Sequence, residues 1–323
     1  MRSKSLKSAV QYCYNKYLNG LYLGKTPKLY SVMYSIWRRF FTKFDPEIKI
    51  KVGKKFLFLN LSHQLPVYYY KYPNYDRALP RICKKLKEID KRLFIVDIGA
   101  NIGDTVYLIT DTTKGSFLCV EGDEKYLPIL EKNIKQISTN NHIRIEECYC
   151  GNETEEKTFI SRTGGTAKII KKNKQNIEGI ESQVLKMKSL DRIIRDNPNF
   201  GNSNLLKIDT DGFEIDILNS GKTFIKDVKP LLYFEFTPEL YIQNNQNQKT
   251  IWNLLRECGY KEALFYNNFG QAIEIINISD QNRVNKLVNK IDNKNINYYD
   301  ILVYHASKNK YSEILKSELN LFI

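Results

Sequence analysis

From Leu93 onward the sequence repeats one pattern: a short apolar run ending in an acid or a glycine, then a stretch with helical spacing. LFIVDIG is the first such run, followed by FLCVEGDE, HIRIEECYC, LLKIDTDG and PLLYFEF. Short apolar runs bounded by turn signals read as buried strands, and strands alternating with helices predict a parallel sheet covered on both faces. After the helix TIWNLLRECG come three more strand-like runs, YKEALFYN, QAIEII and YYDILVYH. In an open sheet of this kind ligands bind beyond the carboxyl ends of the strands. The residues that carry chemistry are therefore expected just after each run.

VDIGANIGDT follows the first strand. Gly99 lets the chain turn sharply and approach a ligand without a Cβ, and Gly103 opens the next helix. A dinucleotide loop would cradle a diphosphate here. Instead Gly99, Asn101 and Gly103 are flanked by Asp97 before them and by Asp104 and Thr105 after them. Two carboxylates repel a diphosphate and suit a cationic ligand with a free amino group. Glu121 ends the second strand, where an acid can accept both ribose hydroxyls of a nucleoside.

Together VDIGANIGDT, VEGDE, LLKIDTDGFEIDIL and LYFEFTPELY resemble the FkbM-type methyltransferases of the class I S-adenosylmethionine-dependent superfamily, over about residues 50–305. The resemblance implies an α/β, Rossmann-like fold with a seven-stranded, mostly parallel sheet whose last strand is antiparallel. It implies methyl transfer from S-adenosylmethionine, most often to a hydroxyl of a sugar or natural product. By position, Asp97, Gly99, Asn101 and Gly103 would line the methionine end of the cofactor, next to Asp104 and Thr105. Glu121 would hold the ribose, and Asp209 would sit near the transferring methyl. The usual family form has Glu where this chain has Asp211. For the adenine, CYCGN offers Cys150 and Asn152 but no acid. Asp209 and Glu235 fall on strands that neighbour one another in the implied sheet, so either is a candidate general base, and together they could hold a Mg²⁺.

Charge divides the chain. Residues 1–92 hold 21 Lys and Arg against 5 Asp and Glu, whereas the remainder holds 29 against 31. Four parts are expected: a basic amphipathic helical segment at 1–46, a strand pair and lead-in helix at 47–92, the methyltransferase domain at 93–306, and a C-terminal helix at 307–323. In the first part Leu6, Val10, Tyr14, Tyr17, Leu18 and Leu21 recur at helical spacing. A stricter stripe runs from Leu29 to Phe41, with Lys28, Arg38, Arg39 and Lys43 beside Trp37, Phe40 and Phe41. Residues 28–43 thus suit a helix lying on an anionic membrane surface, or one packed on the catalytic part or on a second copy in a homo-oligomer. Residues 47–61 read as two short strands around Gly53. HQLPVYYYKYPNY, with Pro66 and Pro73, reads as a loop, and residues 75–90 read as a basic helix.

Other signals are weaker. His63, His142 and His305 are scattered and read as surface or loop residues rather than ligands, an active-site position being the alternative for His63. TGGTAKI, with Gly164 and Gly165, reads as a hairpin turn, a substrate lid being the alternative. There is no zinc-ligand spacing and no NPPY or DPPY run of the kind that serves nucleobase amino groups. A basic segment rich in aromatics could bind RNA, but a near-neutral catalytic part argues against it. A non-catalytic relic would show a broken cofactor loop, and Gly99, Gly103 and Glu121 are all in place. Six scattered cysteines without a CxxC pair, no long apolar span and no signal-like leader point to the cytoplasm, with peripheral attachment to the inner face of a membrane. The expected activity is O-methylation of a sugar hydroxyl in a surface glycan or glycolipid.

Overall fold

The computed structural model describes residues 10–17, 45–53, 55–163, 165–170, 180–291 and 296–323. An antiparallel pair, β1 (Glu47–Val52) and β2 (Lys55–Asn60), opens the described core. It leads through α1 (Leu65–Lys71) and α2 (Ala78–Asp90) into β3 (Phe94–Ile98), α3 (Asp104–Thr112), β4 (Ser116–Glu121), α4 (Leu127–Lys135) and β5 (His142–Glu147). A small sheet follows, made of β6 (Tyr149–Cys150), β7 (Thr154–Thr163), β8 (Thr166–Ile170) and β9 (Ile180–Lys188) in the order β6-β9-β7-β8. The chain then returns to the main sheet with α5 (Leu190–Asp196), β10 (Leu205–Ile208), α6 (Glu214–Ser220), α7 (Lys222–Val228) and β11 (Leu231–Phe236). It ends with α8 (Pro238–Gln243), α9 (Lys249–Glu257), β12 (Tyr260–Asn267), β13 (Ala272–Asn277), α10 (Gln281–Val288), β14 (Tyr299–His305) and α11 (Ser312–Leu319).

The main sheet runs β13-β12-β14-β11-β10-β3-β4-β5. β5, β4, β3, β10 and β11 are parallel, and β14 is inserted antiparallel between β11 and β12. This is the sheet that the resemblance implies, with one strand added. QAIEII, as β13, folds back on β12 at the outer edge and makes the sheet eight-stranded rather than seven. The fold-back is a tight turn in which Gly270 takes a φ of +76°, open to glycine at little cost.

Alternate residues of each central strand go to opposite faces. Ile95, Phe117 and Leu205 join a core with β1–β2, α2, α3, α4 and α11, while Val96, Leu118 and Leu206 join one with α5, α6, α7, α9 and α10. The strand pair is fastened to the sheet by Asn133, which accepts the Phe58 N–H and donates to the Phe58 carbonyl, both at 2.8 Å. Arg81 on α2 reaches the buried Glu318 on α11 at 2.7 Å.

Residues 10–17 are helical, with Val10 and Tyr14 buried in that same core, and Gln11 exchanges two 2.8 Å hydrogen bonds with the Lys49 backbone. Leu6, Leu18, Leu21, the Leu29–Phe41 stripe and its cations Lys28, Arg38, Arg39 and Lys43 lie outside the described residues. The stretch read as a loop contains α1. Its Pro66 stands in the first helical turn, where a missing N–H costs nothing. Among the described residues no helix is long and apolar enough to cross a membrane. All six cysteines are free thiols, five of them buried.

Candidate active site

The sheet reverses its strand order between β3 and β10, and there the chain needs Gly99. Its φ is +75°, and a Cβ on it would stand 2.0 Å from the Asp209 carbonyl oxygen. The two strand-end loops therefore meet backbone to backbone and open a cleft of about 1270 Å³, its mouth included. Gly99, Asn101, Asp104, Thr105, Glu121, Asp209 and Glu235 all line it. The sequence-predicted residues thus converge on one site, with two exceptions.

Asp97 and Gly103 sit behind the wall rather than on it. Asp97 is completely buried and faces Lys207, its parallel partner on β10, with Oδ1 3.1 Å from Nζ. Burial pushes its pKa up to about 6, against the pull of Lys207. Lys207 also donates to the Gly99 carbonyl at 3.2 Å and lies 3.4 Å from Asp209 Oδ2. Burial works against its ammonium, but Asp97, Asp209 and Asp104 outweigh that and raise its pKa. Gly103 precedes α3 with a φ of +80° and packs on Leu130, so its work is helix packing.

At one end of the cleft stands Glu121. Its Oε1 accepts the N–H groups of Gly122 and Asp123 at 2.9 and 2.7 Å, and Oε2 accepts that of Asn101 at 2.8 Å. Burial raises its pKa to about 7 despite these donors. Asn101 holds a left-handed φ of +49° and donates from Nδ2 to the Gly165 carbonyl at 2.8 Å. The hairpin reading of TGGTAKI agrees with the β7–β8 pairing, and Gly165 is part of the cleft lining; Gly164 lies outside the described residues. Arg162 pins this hairpin to the fully buried Asp123 at 2.8 Å.

The wall next to Glu121 is made of Cys148, Tyr149, Cys150 and Met187. A Cβ on Gly122 would stand 2.4 Å from the Tyr149 ring, so the glycine is what lets that ring close the wall. The Tyr149 hydroxyl is buried without a partner among the described residues, a polar atom ready for a ligand. Asn152, the other residue offered for the adenine, is exposed and outside the lining.

The opposite end is acidic. Asp209 and Glu235 are joined there by Asp76, Asp104 and Asp300, with Tyr75 and Tyr233 beside them. Glu235 and Asp300 stand directly opposite in the β11–β14 pair. Burial, then Asp209, raises Asp300 to about 7. Glu235 is raised well above the usual carboxylate range by burial and by Asp209, Asp211 and Glu214, and its Oε1 accepts the Thr237 hydroxyl at 2.7 Å. Asp76 is raised likewise by burial and by Asp104, Asp300 and Asp209. Among the described residues of the lining, Lys207 is the only Lys or Arg. Asp211 takes a φ of +52°, a conformation Asp tolerates better than most residues. Among the described residues no group of three His, Cys, Asp or Glu side chains is arranged to hold a metal ion.

His63 lies in the loop before α1, and its ring lines the cleft against Gly165. Its Nδ1 accepts the Leu65 N–H at 3.3 Å, and burial lowers its pKa to about 4 against the upward pull of Asn101 and Asp45. His142 is exposed at the start of β5, and His305, the last residue of β14, accepts the Ser307 N–H at 3.0 Å, both away from the cleft. The residues missed in the sequence are Lys207, Asp300, Asp76 and Tyr75. Only Lys207 carried a signal, as a lone charge inside the apolar run LLKID.

The model of the FkbM methyltransferase domain matches residues 97–262, just over half of the chain. No curated protein matches. Among solved structures, an FkbM methyltransferase from Methylobacillus flagellatus KT is 16% identical, with a TM-score of 0.36 over 54% of this chain and 40% of that one. The O-methyltransferase from Bacillus cereus, solved in complex with SAH, is 11% identical, with a TM-score of 0.37 over 70% of this chain and 80% of that one.

Proposed function

The chain belongs to the FkbM methyltransferase family, and on that premise we propose that it methylates a sugar hydroxyl of a glycan or glycolipid with S-adenosylmethionine as donor. The observation that carries this reading is the polarity of the cleft. Carboxylates crowd the end where Asp209 lies, and among the described residues of the lining Lys207 is their only Lys or Arg neighbour. Such a field attracts a sulfonium and an ammonium, admits a neutral hydroxyl and repels a phosphate chain. It favours a sugar over RNA.

The residues fit the cofactor. Gly99 leaves room for close approach, Glu121 Oε2 has a lone pair left for a ribose hydroxyl, and the Tyr149 hydroxyl lacks a partner among the described residues. When bound, S-adenosylmethionine supplies a methyl group on a good leaving sulfur. The rest is done by the chain. As the acceptor oxygen gains the methyl group, its proton has to leave, and Asp209 stands at the mouth with its side chain 52% exposed to receive it. Burial and neighbouring acids favour the protonated forms of Glu235 and Asp76, and a protonated carboxyl can donate a hydrogen bond that orients the acceptor.

The experiment is methyl transfer from labelled S-adenosylmethionine to three acceptor pools: nucleotide sugars, lipid-linked glycans and RNA. Nuclease-resistant label in a sugar is expected. Label confined to RNA, or no binding of S-adenosylmethionine at all, overturns the reading.

A further inference from the structure

The tyrosine-rich stretch VYYYKYPNY folds into a row of rings that runs from the surface into the cleft. Tyr68, on α1, is 36% exposed. Its ring centroid lies 5.3 Å from that of Tyr75 and 6.2 Å from that of Tyr72. Tyr72 in turn lies 4.6 Å from Phe269, which comes from the turn between β12 and β13. At the inner end Tyr75 and Asp76 line the cleft itself. The turn is held hard against the row, since a Cβ on Gly270 would stand 2.2 Å from the Asn74 carbonyl oxygen. The added strand β13 is what returns the chain to the sheet after that turn. All four rings lie outside the residues matched by the family model.

We propose that this row is a subsite for the body of the acceptor, a neutral oligosaccharide. Its end residue enters the cleft past Tyr75, while the sugars behind it lie on Tyr68, Tyr72 and Phe269. The proposal rests on the methyl-transfer reading above and specifies its acceptor. Tyrosine offers an apolar face for the C–H side of a sugar ring and a hydroxyl for its polar rim, at a small cost in side-chain freedom. Amide side chains on the turn add adaptable donors and acceptors: Asn267 and Gln271 pair at 3.0 Å, and Asn268 accepts the Asn297 N–H. Stacked nucleobases would use the same faces. Their phosphates, however, would have to follow the row towards the carboxylate of Asp209, which repels them.

Calorimetry with the full-length protein saturated in S-adenosylmethionine tests this, using maltohexaose, cellohexaose and chitohexaose, their monosaccharides, and an oligouridylate. At least one hexasaccharide should bind about tenfold or more tighter than its monosaccharide, and Tyr68→Ala or Phe269→Ala should each remove most of that gain. Tyr68 is exposed, so its variant keeps the fold, and unchanged affinity for S-adenosylmethionine shows that it has. Three results overturn the subsite: no hexasaccharide binds, the alanine variants bind it equally well, or oligouridylate binds in its place. Failure to bind S-adenosylmethionine is a separate result and counts against the methyl-transfer reading itself.

Discussion

Lys207 Nζ lies 3.1 Å from Asp97 Oδ1 on the neighbouring parallel strand, and both side chains are sealed from water. The pair sits directly behind Gly99, whose carbonyl Lys207 also holds. It ties the first strand-end loop to the fourth at the point where the sheet changes direction. Lys207→Met should leave a lone buried carboxylate and cost about 3–5 kcal/mol of stability at neutral pH. Lys207→Met combined with Asp97→Asn should recover much of it, because no charge is then left unpaired. Urea unfolding of the single and double variants measures the difference; equal loss in both would reject the pairing as the cause.

The same burial makes cofactor binding pH-dependent. Asp97 is raised to about 6, and Glu121, Glu214 and Asp300 to about 7. Unfolded carboxyls titrate near pH 4. At pH 5 to 6 the fold therefore holds protons that the unfolded chain has released, so the stability these groups contribute is fully present below about pH 4 and lost as pH rises through 6 to 7. A cation in the cleft favours the ionised forms. Binding of S-adenosylmethionine should release protons near pH 6–7, and its affinity should rise between pH 6 and 8. Calorimetry in two buffers of different ionisation heat reads the proton count directly. An affinity that falls over this range would contradict the assignment.

Gly99→Ala tests the close approach of the two loops. The added methyl would collide with the Asp209 carbonyl, at a φ of +75° that alanine adopts poorly. Overpacking of this kind costs about 1–3 kcal/mol, with the left-handed backbone adding to it. The protein should remain folded at low temperature but lose S-adenosylmethionine binding, because β3 and β10 must part exactly where the cleft opens. Retained affinity would show that the loops have room to spare.

How much of this could be read beforehand follows from where each residue gets its neighbours. Glu121 and Asp209 were legible because an acid that closes an apolar run falls at a strand end, and strand ends are where such a sheet binds ligands. Asp97 closes no run in that sense: it is one residue inside its strand, so its side chain turns into the sheet and meets Lys207. That contact exists only because β3 and β10, more than a hundred residues apart, lie side by side. Asp300 stands near the start of its strand and reaches the cleft only through its antiparallel register with Glu235. Asp76 and His63 come from the connections around α1, which the two prolines disguised as a loop. Periodicity sees what an element does to itself, and these residues are placed by other elements.

Asp209→Asn separates the base from the hydrogen-bond donor. The amide keeps the shape but cannot accept the proton of the acceptor hydroxyl, so turnover should fall about 100-fold or more with S-adenosylmethionine affinity little changed. Glu235→Gln keeps a donor at that position and should retain a larger share of the activity. Single-turnover assays with labelled cofactor distinguish the two. If Glu235→Gln is the more damaging change, the roles are exchanged.

Residues 28–43, outside the described residues, carry an amphipathic pattern edged by cations. Trp37, Phe40 and Phe41 share a helical stripe with Leu29, Val32, Met33 and Ile36, and Lys28, Arg38, Arg39 and Lys43 flank it. An apolar face edged by cations binds an anionic bilayer reversibly, each basic residue contributing about 1 kcal/mol and only within a Debye length of the surface. Four such residues suffice for attachment that salt undoes, without any membrane span. The same stripe could instead be buried on the catalytic part or against a second copy, as most amphipathic helices are. Flotation with vesicles containing phosphatidylserine decides between them. Membrane attachment predicts that the full-length protein floats at low salt, sinks as salt rises, and sinks at any salt after Arg38→Glu and Arg39→Glu. A protein that stays in the soluble fraction at low salt has its stripe covered by protein, and the acceptor must then come to the enzyme from solution.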